Sequence, residues 1–367
     1  MRLLILSRYD RQGASSRLRM HQYVPHLEAA GFSVEIRPLF DAAYLRSLYR
    51  GRRDPVSVLR AYWSRIRQLR DMDAFDVIWL EKELLPWLPN GAERLFSADG
   101  PAIVSDYDDA VFHRYDRHSS GAVRRILGDK IAEVMRRSDL VLAGNRYLAD
   151  YAARAGSARV EIVPTVVDCS VYEPRESDSA SGGTIGWIGT PGTWNDCVEP
   201  FSEPLNHVVD AKAVCFLAVG AGNEARTANG FDVRQWSEER EVSDIHDMGI
   251  GIMPLPDTPW MRGKCGYKLI QYMACGLPVV ASPVGVNAEI VEHGVNGFLA
   301  SSEAEWVKAL ETLIADPDLR RRMGAAGRKK VEDHYSLQVQ GPRVARLLAE
   351  VAQGGRSVTS ARVGRQA

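Results

Sequence analysis

The chain reads as an α/β protein of two domains, each built on a parallel sheet, and three observations lead there. Its 367 residues exceed one ordinary core and suffice for two. Short apolar runs alternate with glycine-bearing loops and helical patterns, first from Leu3-Leu4-Ile5-Leu6 and again from Thr184-Ile185-Gly186-Trp187-Ile188-Gly189. Strand, loop, helix, strand is the order in which a parallel sheet begins. Between the two series lies SDSASGG, residues 177–183, a small polar run of linker composition. The expected division is a first domain over 1–176, the linker at 177–183, a second domain over 184–335 and a closing helix over 336–352. The tail from 353 to 367 has almost nothing to bury and is expected to be disordered.

Composition narrows the function. Lysine and arginine number 46 against 47 acids, so nothing in the total points to a nucleic-acid partner. No apolar run has the length of a spanning helix, and the opening MRLLILSRYD reads as a strand rather than a signal peptide. A cytoplasmic protein is expected. The cysteines, Cys169, Cys197, Cys215, Cys265 and Cys275, are odd in number and show no CxxC pairing, which argues against a disulfide framework and a zinc site.

In the first series, the strand over Leu3–Leu6 turns into a loop around Gly13, and a helix carrying Tyr23, Val24 and Leu27 on one face runs to Gly31 before the next strand. Ligands of parallel sheets lie beyond the carboxyl ends of strands, so the Gly13 loop, with Arg17 and Arg19 at its helix start, is either a phosphate contact or a plain turn. Residues 46–70 interleave arginines, among them Arg60, Arg65 and Arg67, with Leu48, Tyr49, Leu59, Tyr62, Trp63 and Ile66. Such a segment lies on an anionic membrane surface or packs as a solvated helix. AFDVIWL and AIVS are further strands, the second entering Asp106-Tyr107-Asp108-Asp109. Asp106, at a strand's carboxyl end, is the acid expected to face a ligand, Asp108 or Asp109 suits a helix cap, and His113 fits a structural role.

The stretch WMRGKCGYKLIQYMACGLPVVASPVGVNAEI carries the clearest chemistry. Leu269, Ile270, Met273 and Ala274 recur at helical spacing, Gly276-Leu277-Pro278 stops the helix, and Val279-Val280-Ala281-Ser282 suits a buried strand. At the helix entrance, Gly263 and Gly266 let a ligand approach the main chain, and first-turn N–H groups favour an anion. Lys264 and Lys268 flank that position, and Gln271 can hydrogen-bond to hydroxyl groups. A diphosphate attached to a sugar satisfies all of these, while a glycine-started helix with two solvated lysines is the plainer alternative.

The run GYKLIQYMACGLPVVASPVGVNAEIVEHGVNGFL resembles the donor-site signature of glycosyltransferase family 4. That resemblance implies two facing Rossmann-like domains of the GT-B type, a cleft between them and a C-terminal helix that crosses back. The family form has a glutamate, seven residues, a second glutamate, then Ala-Met-Ala-Cys-Gly and a Pro-Val-Val strand; here Gly263 and Gln271 stand in place of the two acids. The second acid binds the nucleotide ribose, a task glutamine can share. The first touches the donor sugar, and Asp257, a few residues before the loop, is the expected substitute. Relatives carry an arginine and a lysine just after the strand that ends at Gly189, whereas this chain has no lysine or arginine from Gly182 through Asp210. Main-chain N–H groups at Gly189 and the hydroxyls of Thr190 and Thr193 are therefore expected to bind phosphate without charge, with Lys264, Lys268 and Arg262 as the expected suppliers of it. Trp236 falls where relatives contact the base, and stacks there or packs in the core. Cys265, Gly266 and Tyr267 complete the donor segment, and the family's glycine loop corresponds to Gly13.

The reaction so implied is retaining transfer of a sugar from a nucleotide-diphosphate donor to an acceptor hydroxyl in polysaccharide or glycoconjugate biosynthesis. Lys264, Lys268 and Asp106 are the candidate catalytic groups, and no metal or other cofactor is expected, because phosphates in such enzymes are neutralised by basic side chains and a helix end. The acceptor is a saccharide, a lipid-linked saccharide or a small molecule, with peripheral contact to the inner membrane face if the arginine-rich segment docks there. The alternatives are a nucleotide-sugar epimerase or hydrolase on the same scaffold, and a nucleotide-sugar-binding partner subunit without turnover.

Overall fold

The computed structural model describes residues 1–49, 54–91, 100–175, 183–222 and 230–363. The chain divides into two compact units, residues 1–165 with 340–367, and 166–339. Each is a Rossmann-like layer of parallel strands with helices around it. Residues 166–175 thus go with the second unit, and the expected linker lies almost wholly outside the described residues.

The first unit orders its strands β2-β1-β3-β4-β5-β6, with β1 Arg2–Leu6, β2 Ser33–Ile36, β3 Val77–Glu81, β4 Ala102–Tyr107, β5 Leu140–Ala143 and β6 Val160–Ile162. All its pairings are parallel. Leu3 to Leu6 are all buried, as a strand covered on both faces requires, which is why it appears in the sequence as an unbroken apolar run. The helix expected to run to Gly31 is broken into Ala14–Arg19, a 3-10 turn His21–Tyr23, and Val24–Ala29, because Pro25 lacks the N–H that a continuous helix would use. β4 continues two residues beyond AIVS, so Asp106 lies within the strand. Asp108 is no helix cap; the next helix, His113–Asp116, has Phe112 at its N-cap.

The second unit orders its strands β12-β11-β10-β7-β8-β9, all parallel, with β7 Ile185–Ile188, β8 Phe216–Val219, β9 Phe231–Arg234, β10 Ile250–Met253, β11 Val279–Ala281 and β12 Gly297–Leu299. Its two faces are filled by separate apolar clusters, one around Leu269, Ile270 and Met273, the other around Trp187, Leu205 and Trp306. Among its helices are Tyr267–Ala274, where the periodicity puts one, Glu303–Ala315 and Pro317–His334. The last helix, Leu337–Val363, continues past Ala352 into the stretch expected to be disordered; once a ladder is nucleated, each further residue adds its bond at small cost. Among the described residues no helix is long and apolar enough to cross a membrane. All five cysteines are free, three of them buried.

Candidate functional site

In an open parallel sheet the ligand crevice opens where strands on either side of a neighbour pair lead their loops in opposite directions. In the second unit that place is between β7 and β10. The loop after β7 begins at Gly189, and the loop after β10 leads through Thr258 and Gly263 to the Tyr267–Ala274 helix.

Tyr272 ties that helix to the switch point. Tyr272 lies across Gly251 of β10, where a Cβ would come within 2.3 Å of its ring, and its buried hydroxyl accepts the Ile188 N–H at 2.9 Å. Lys268, one turn earlier, is thereby set beside Gly189. A Cβ at Gly189 would meet Lys268 Cε at 2.9 Å and the Trp187 ring at 2.5 Å. The Lys268 ammonium sits 5.5 Å from the Trp187 ring centroid, and Lys264 lies 5.8 Å from that of Trp260. Both ammonium groups act on the buried Cys197 thiol, whose pKa burial raises and the two lysines partly draw back. The pair expected to carry positive charge is therefore gathered at one place. Gly266 opens the helix with φ +65, and a Cβ there would meet Ile290 at 2.4 Å.

Gly220 ends β8 beside Gly189, 2.2 Å being the distance a Cβ would keep from the Gly189 carbonyl, with Trp236 Cβ next nearest at 3.2 Å. Two glycines, Trp236 and Lys268 thus converge around the carboxyl ends of β7 and β8. Trp236 remains 38% exposed while its indole N–H donates to Glu241. The N–H edge is anchored and part of the ring is open, so Trp236 does not pack in the core.

Glu241 joins Gln271 to the rest. Its buried carboxylate accepts Gln271 Nε2 at 2.8 Å and the Tyr172 hydroxyl on the same oxygen, and Trp236 on the other. Tyr172 also lies 3.3 Å from Tyr267 Oη, and burial, followed by the nearby Tyr267 and Glu241, pushes its pKa far up, so it stays a donor. The Gln271 amide nitrogen is therefore directed inward. Sequence reasoning passed over Glu241; the signal was an acid five residues after a tryptophan already singled out.

The other expected donor contacts are arranged differently. Thr190 and Thr193 form a reciprocal capping box, Thr190 N–H donating to Thr193 Oγ1 at 3.0 Å. Asp257 and Arg262 form a bidentate exposed pair at 2.6 and 2.9 Å, so each offsets the other's charge. Cys265 is buried and Gly263 closes the Pro259–Arg262 turn.

In the first unit the switch point lies between β1 and β3. Gly13 packs on Tyr9, where a Cβ would approach to 2.4 Å. Arg19 does not face a phosphate: it is buried and grips Asp106 with two bonds of 2.7 and 3.1 Å. Burial raises the Asp106 pKa to about 6 although Arg19 opposes it. Asp106 is thus a buried, paired acid. A neighbouring cluster went unread: Lys82, buried with φ 66, lies 2.8 Å from Asp108 and 3.0 Å from Ser15 Oγ, which in turn donates to Glu81 and Asp108. Burial opposes the Lys82 charge, but Asp108 and Glu81 outweigh it and hold the pKa above the ordinary ammonium value. His113 bridges Asp116 and the Tyr147 hydroxyl, in keeping with a structural role.

Comparison with known proteins bears on the fold and on the sequence of the second unit. Residues 182–316 match the family described as Glycosyl transferases group 1. The D-inositol 3-phosphate glycosyltransferase of Segniliparus rotundus is 26% identical over 238 residues, which is 56% of this chain and 50% of that protein. The alpha-maltose-1-phosphate synthase of Mycolicibacterium smegmatis is 37% identical over 86 residues, 21% of this chain and 22% of its own length. The chain thus matches half or less of these relatives. Among solved structures, sucrose-phosphate synthase from Thermosynechococcus elongatus superposes with a TM-score of 0.70 at 15% identity, covering 96% of this chain and all of that one. Anabaena Alr3699/HepE, in complex with UDP-glucose, gives 0.67 at 17% identity over 95% of this chain and 100% of its own. The chain has the two-domain GT-B fold, and residues 182–316 of its second unit match the group 1 glycosyltransferase family model.

Proposed function

We propose that this protein transfers a sugar from a nucleoside diphosphate donor to an acceptor hydroxyl, with retention at the anomeric carbon, as a family 4 glycosyltransferase. The observation that carries the reading is the gathering of Gly189, Gly220, Trp236 and Lys268 at the carboxyl ends of β7 and β8, inside the segment that matches the group 1 family. In this reading the diphosphate lies against the Gly189 and Gly220 main chain, with Lys268 and Lys264 beside it. The open part of the Trp236 ring takes the base, and Glu241 holds that ring in place. As the bond from the anomeric carbon to the diphosphate breaks, the acceptor oxygen bonds to that carbon and its proton leaves with the diphosphate. Charge develops on the leaving oxygens, where two ammonium groups stabilise the transition state more than the ground state. No divalent metal takes part.

The experiment is a panel of nucleotide-sugar donors supplied with lipid-linked and soluble saccharide acceptors, with and without exhaustive chelation. Transfer that survives chelation supports the reading, and donor conversion without acceptor would replace it by epimerisation or hydrolysis. A second reading, a binding subunit without turnover, is favoured by one observation: neither Gly263 nor the inward-turned Gln271 offers a carboxylate to the donor. Nucleotide-sugar binding with no turnover across the panel would establish it.

A further inference from the structure

The Pro55–Gln68 helix has two apolar faces, and among the described residues only one is packed into a core cluster. Val58, Ala61, Tyr62 and Leu69 rest against the first unit's core, and Tyr62 donates to the Pro86 carbonyl. Arg65 is buried on the same side, its guanidinium donating to the Arg37 and Ser7 carbonyls at 3.0 and 2.7 Å. The opposite side shows Val56, Leu59, Trp63 and Ile66 at 65, 66, 65 and 43% exposure. At about 100° per residue these four side chains fall within roughly 80° of arc, with Arg67 and Arg60 along one flank. A contiguous stripe of large apolar side chains in water is unfavourable and marks a contact surface.

The charges beside the stripe indicate which surface. Arg60, Arg67 and Arg70, with Arg37, Trp63 and Asp71, line an open groove of about 680 Å³. Asp71 is taken by Arg37 at 2.7 and 2.8 Å. The side chains of Arg60, Arg67 and Arg70 make no salt bridge or hydrogen bond among the described residues, and Asp54 interacts with Arg60 through its charge. The groove therefore carries an excess of positive charge next to an apolar stripe. Acyl chains meet the stripe and phosphate headgroups meet the groove when such a helix lies flat in the interface of an anionic bilayer.

We propose that the outer face of the Pro55–Gln68 helix is a docking surface for an anionic lipid bilayer, with Leu59 and Trp63 inserted and Arg60, Arg67 and Arg70 on the headgroups. The test is flotation of the full chain with vesicles of phosphatidylcholine alone or mixed with phosphatidylglycerol, at low and high salt. Wild type floats with the mixed vesicles at low salt and is released by high salt. Each arginine removed weakens partitioning roughly fivefold, so Arg60→Glu with Arg67→Glu lowers it more than about tenfold. Leu59→Ser with Trp63→Ser also loses flotation although the charge is intact, and Arg322→Glu, exposed in the other unit, floats as wild type. All four replaced side chains are exposed, and circular dichroism melting verifies that each variant is folded. Wild type left in the bottom fraction at low salt, or both double variants floating as wild type, overturns the proposal. So does a dimer in sedimentation velocity that the Leu59→Ser, Trp63→Ser variant abolishes while vesicles bind nothing, since the stripe would then cover a second copy.

Discussion

Replacing Glu241 separates a structural network from the ring it holds. The carboxylate receives three donors, from Tyr172, Gln271 and Trp236. In Glu241→Ala the buried Tyr172 and Gln271 groups lose their acceptor, at about 1–3 kcal/mol for each buried polar group left unmade. Some is recovered, because Gln271 Nε2 also reaches Tyr172 Oη at 3.2 Å and Tyr172 reaches Tyr267. The expected loss is about 2–4 kcal/mol, and at roughly 2–4 °C per kcal/mol for a domain of this size the melting midpoint falls by about 5–15 °C. Glu241→Gln behaves differently. Its amide oxygen can keep Tyr172 and Gln271 while its NH2 group meets the Trp236 N–H, donor against donor, so Trp236 turns outward at a cost of about 1–2 kcal/mol. Urea unfolding followed by circular dichroism reads the first effect, and calorimetric titration with nucleoside diphosphates reads the second. Glu241→Gln should lower nucleotide affinity by more than its stability loss suggests. A Glu241→Ala variant within about 0.5 kcal/mol of wild type would refute the network, since that is the scatter of neutral surface changes. Unaltered nucleotide affinity in a folded Glu241→Gln would remove Trp236 from the base site.

Lys264→Ala and Lys268→Ala are each expected to weaken nucleoside diphosphate binding about tenfold to a hundredfold, the equivalent of roughly 1.5–3 kcal/mol for a charge-assisted contact, with little change in unfolding midpoint; equal affinities by titration would take the lysines out of the site. Gly251→Ala drives a Cβ into the Tyr272 ring at 2.3 Å, so the Tyr267–Ala274 helix must shift; stability falls by about 1–3 kcal/mol and nucleotide binding falls with it, both read on the same preparation. Asp106, raised to about 6 by burial, binds its proton more tightly folded than unfolded. Its contribution is therefore full below the unfolded value near pH 4 and is lost as pH rises through 6. Against wild type, Asp106→Asn should gain up to about 3 kcal/mol between pH 4 and 7 in urea unfolding, and a flat difference would show that Arg19 keeps the acid ionised throughout.

The parallel architecture was legible because strands covered on both faces have to be apolar without interruption, as Leu3 to Leu6 and Val279 to Ala281 are. β9 was not, since Phe231–Arg234 is a half-exposed edge strand of four residues, two of them charged, which reads as loop. The arginine-rich segment was identified as amphipathic, but periodicity cannot tell a solvated guanidinium from Arg65, which is buried because two main-chain carbonyls receive it. Arg50, Arg52 and Arg53 of that segment lie outside the described residues. Local spacing found the Lys264 and Lys268 pair. It could not find Arg19 with Asp106, or Lys82 with Ser15 and Asp108, because those partners are far apart in sequence and meet only when the Ala14–Arg19 helix packs beside the carboxyl ends of β3 and β4.

The amide at position 271 fits its contact with Glu241, where a second carboxylate would not. Nε2 of Gln271 lies 2.8 Å from a Glu241 carboxylate oxygen, so a second carboxylate at 271 would face the first at hydrogen-bonding distance, with both buried. Two acids so placed cannot both ionise, and one keeps its proton well above the usual range. Gln271→Glu is therefore expected to lose about 2–4 kcal/mol near pH 8, at about 1.4 kcal/mol per unit by which the pair's upper pKa is raised. The sign follows from the same shift: an acid with a raised folded pKa loses stability as pH rises through that value, so the deficit shrinks at pH 5. Exchanging the partners in Gln271→Glu with Glu241→Gln restores one acid and one amide across the contact, and the double variant should return to within about 1 kcal/mol of wild type. Urea midpoints of the single and double variants at both pH values decide the matter. A single variant as stable as wild type at pH 8, or a double no better than the single, would mean that Glu241 is not the reason an amide stands at 271.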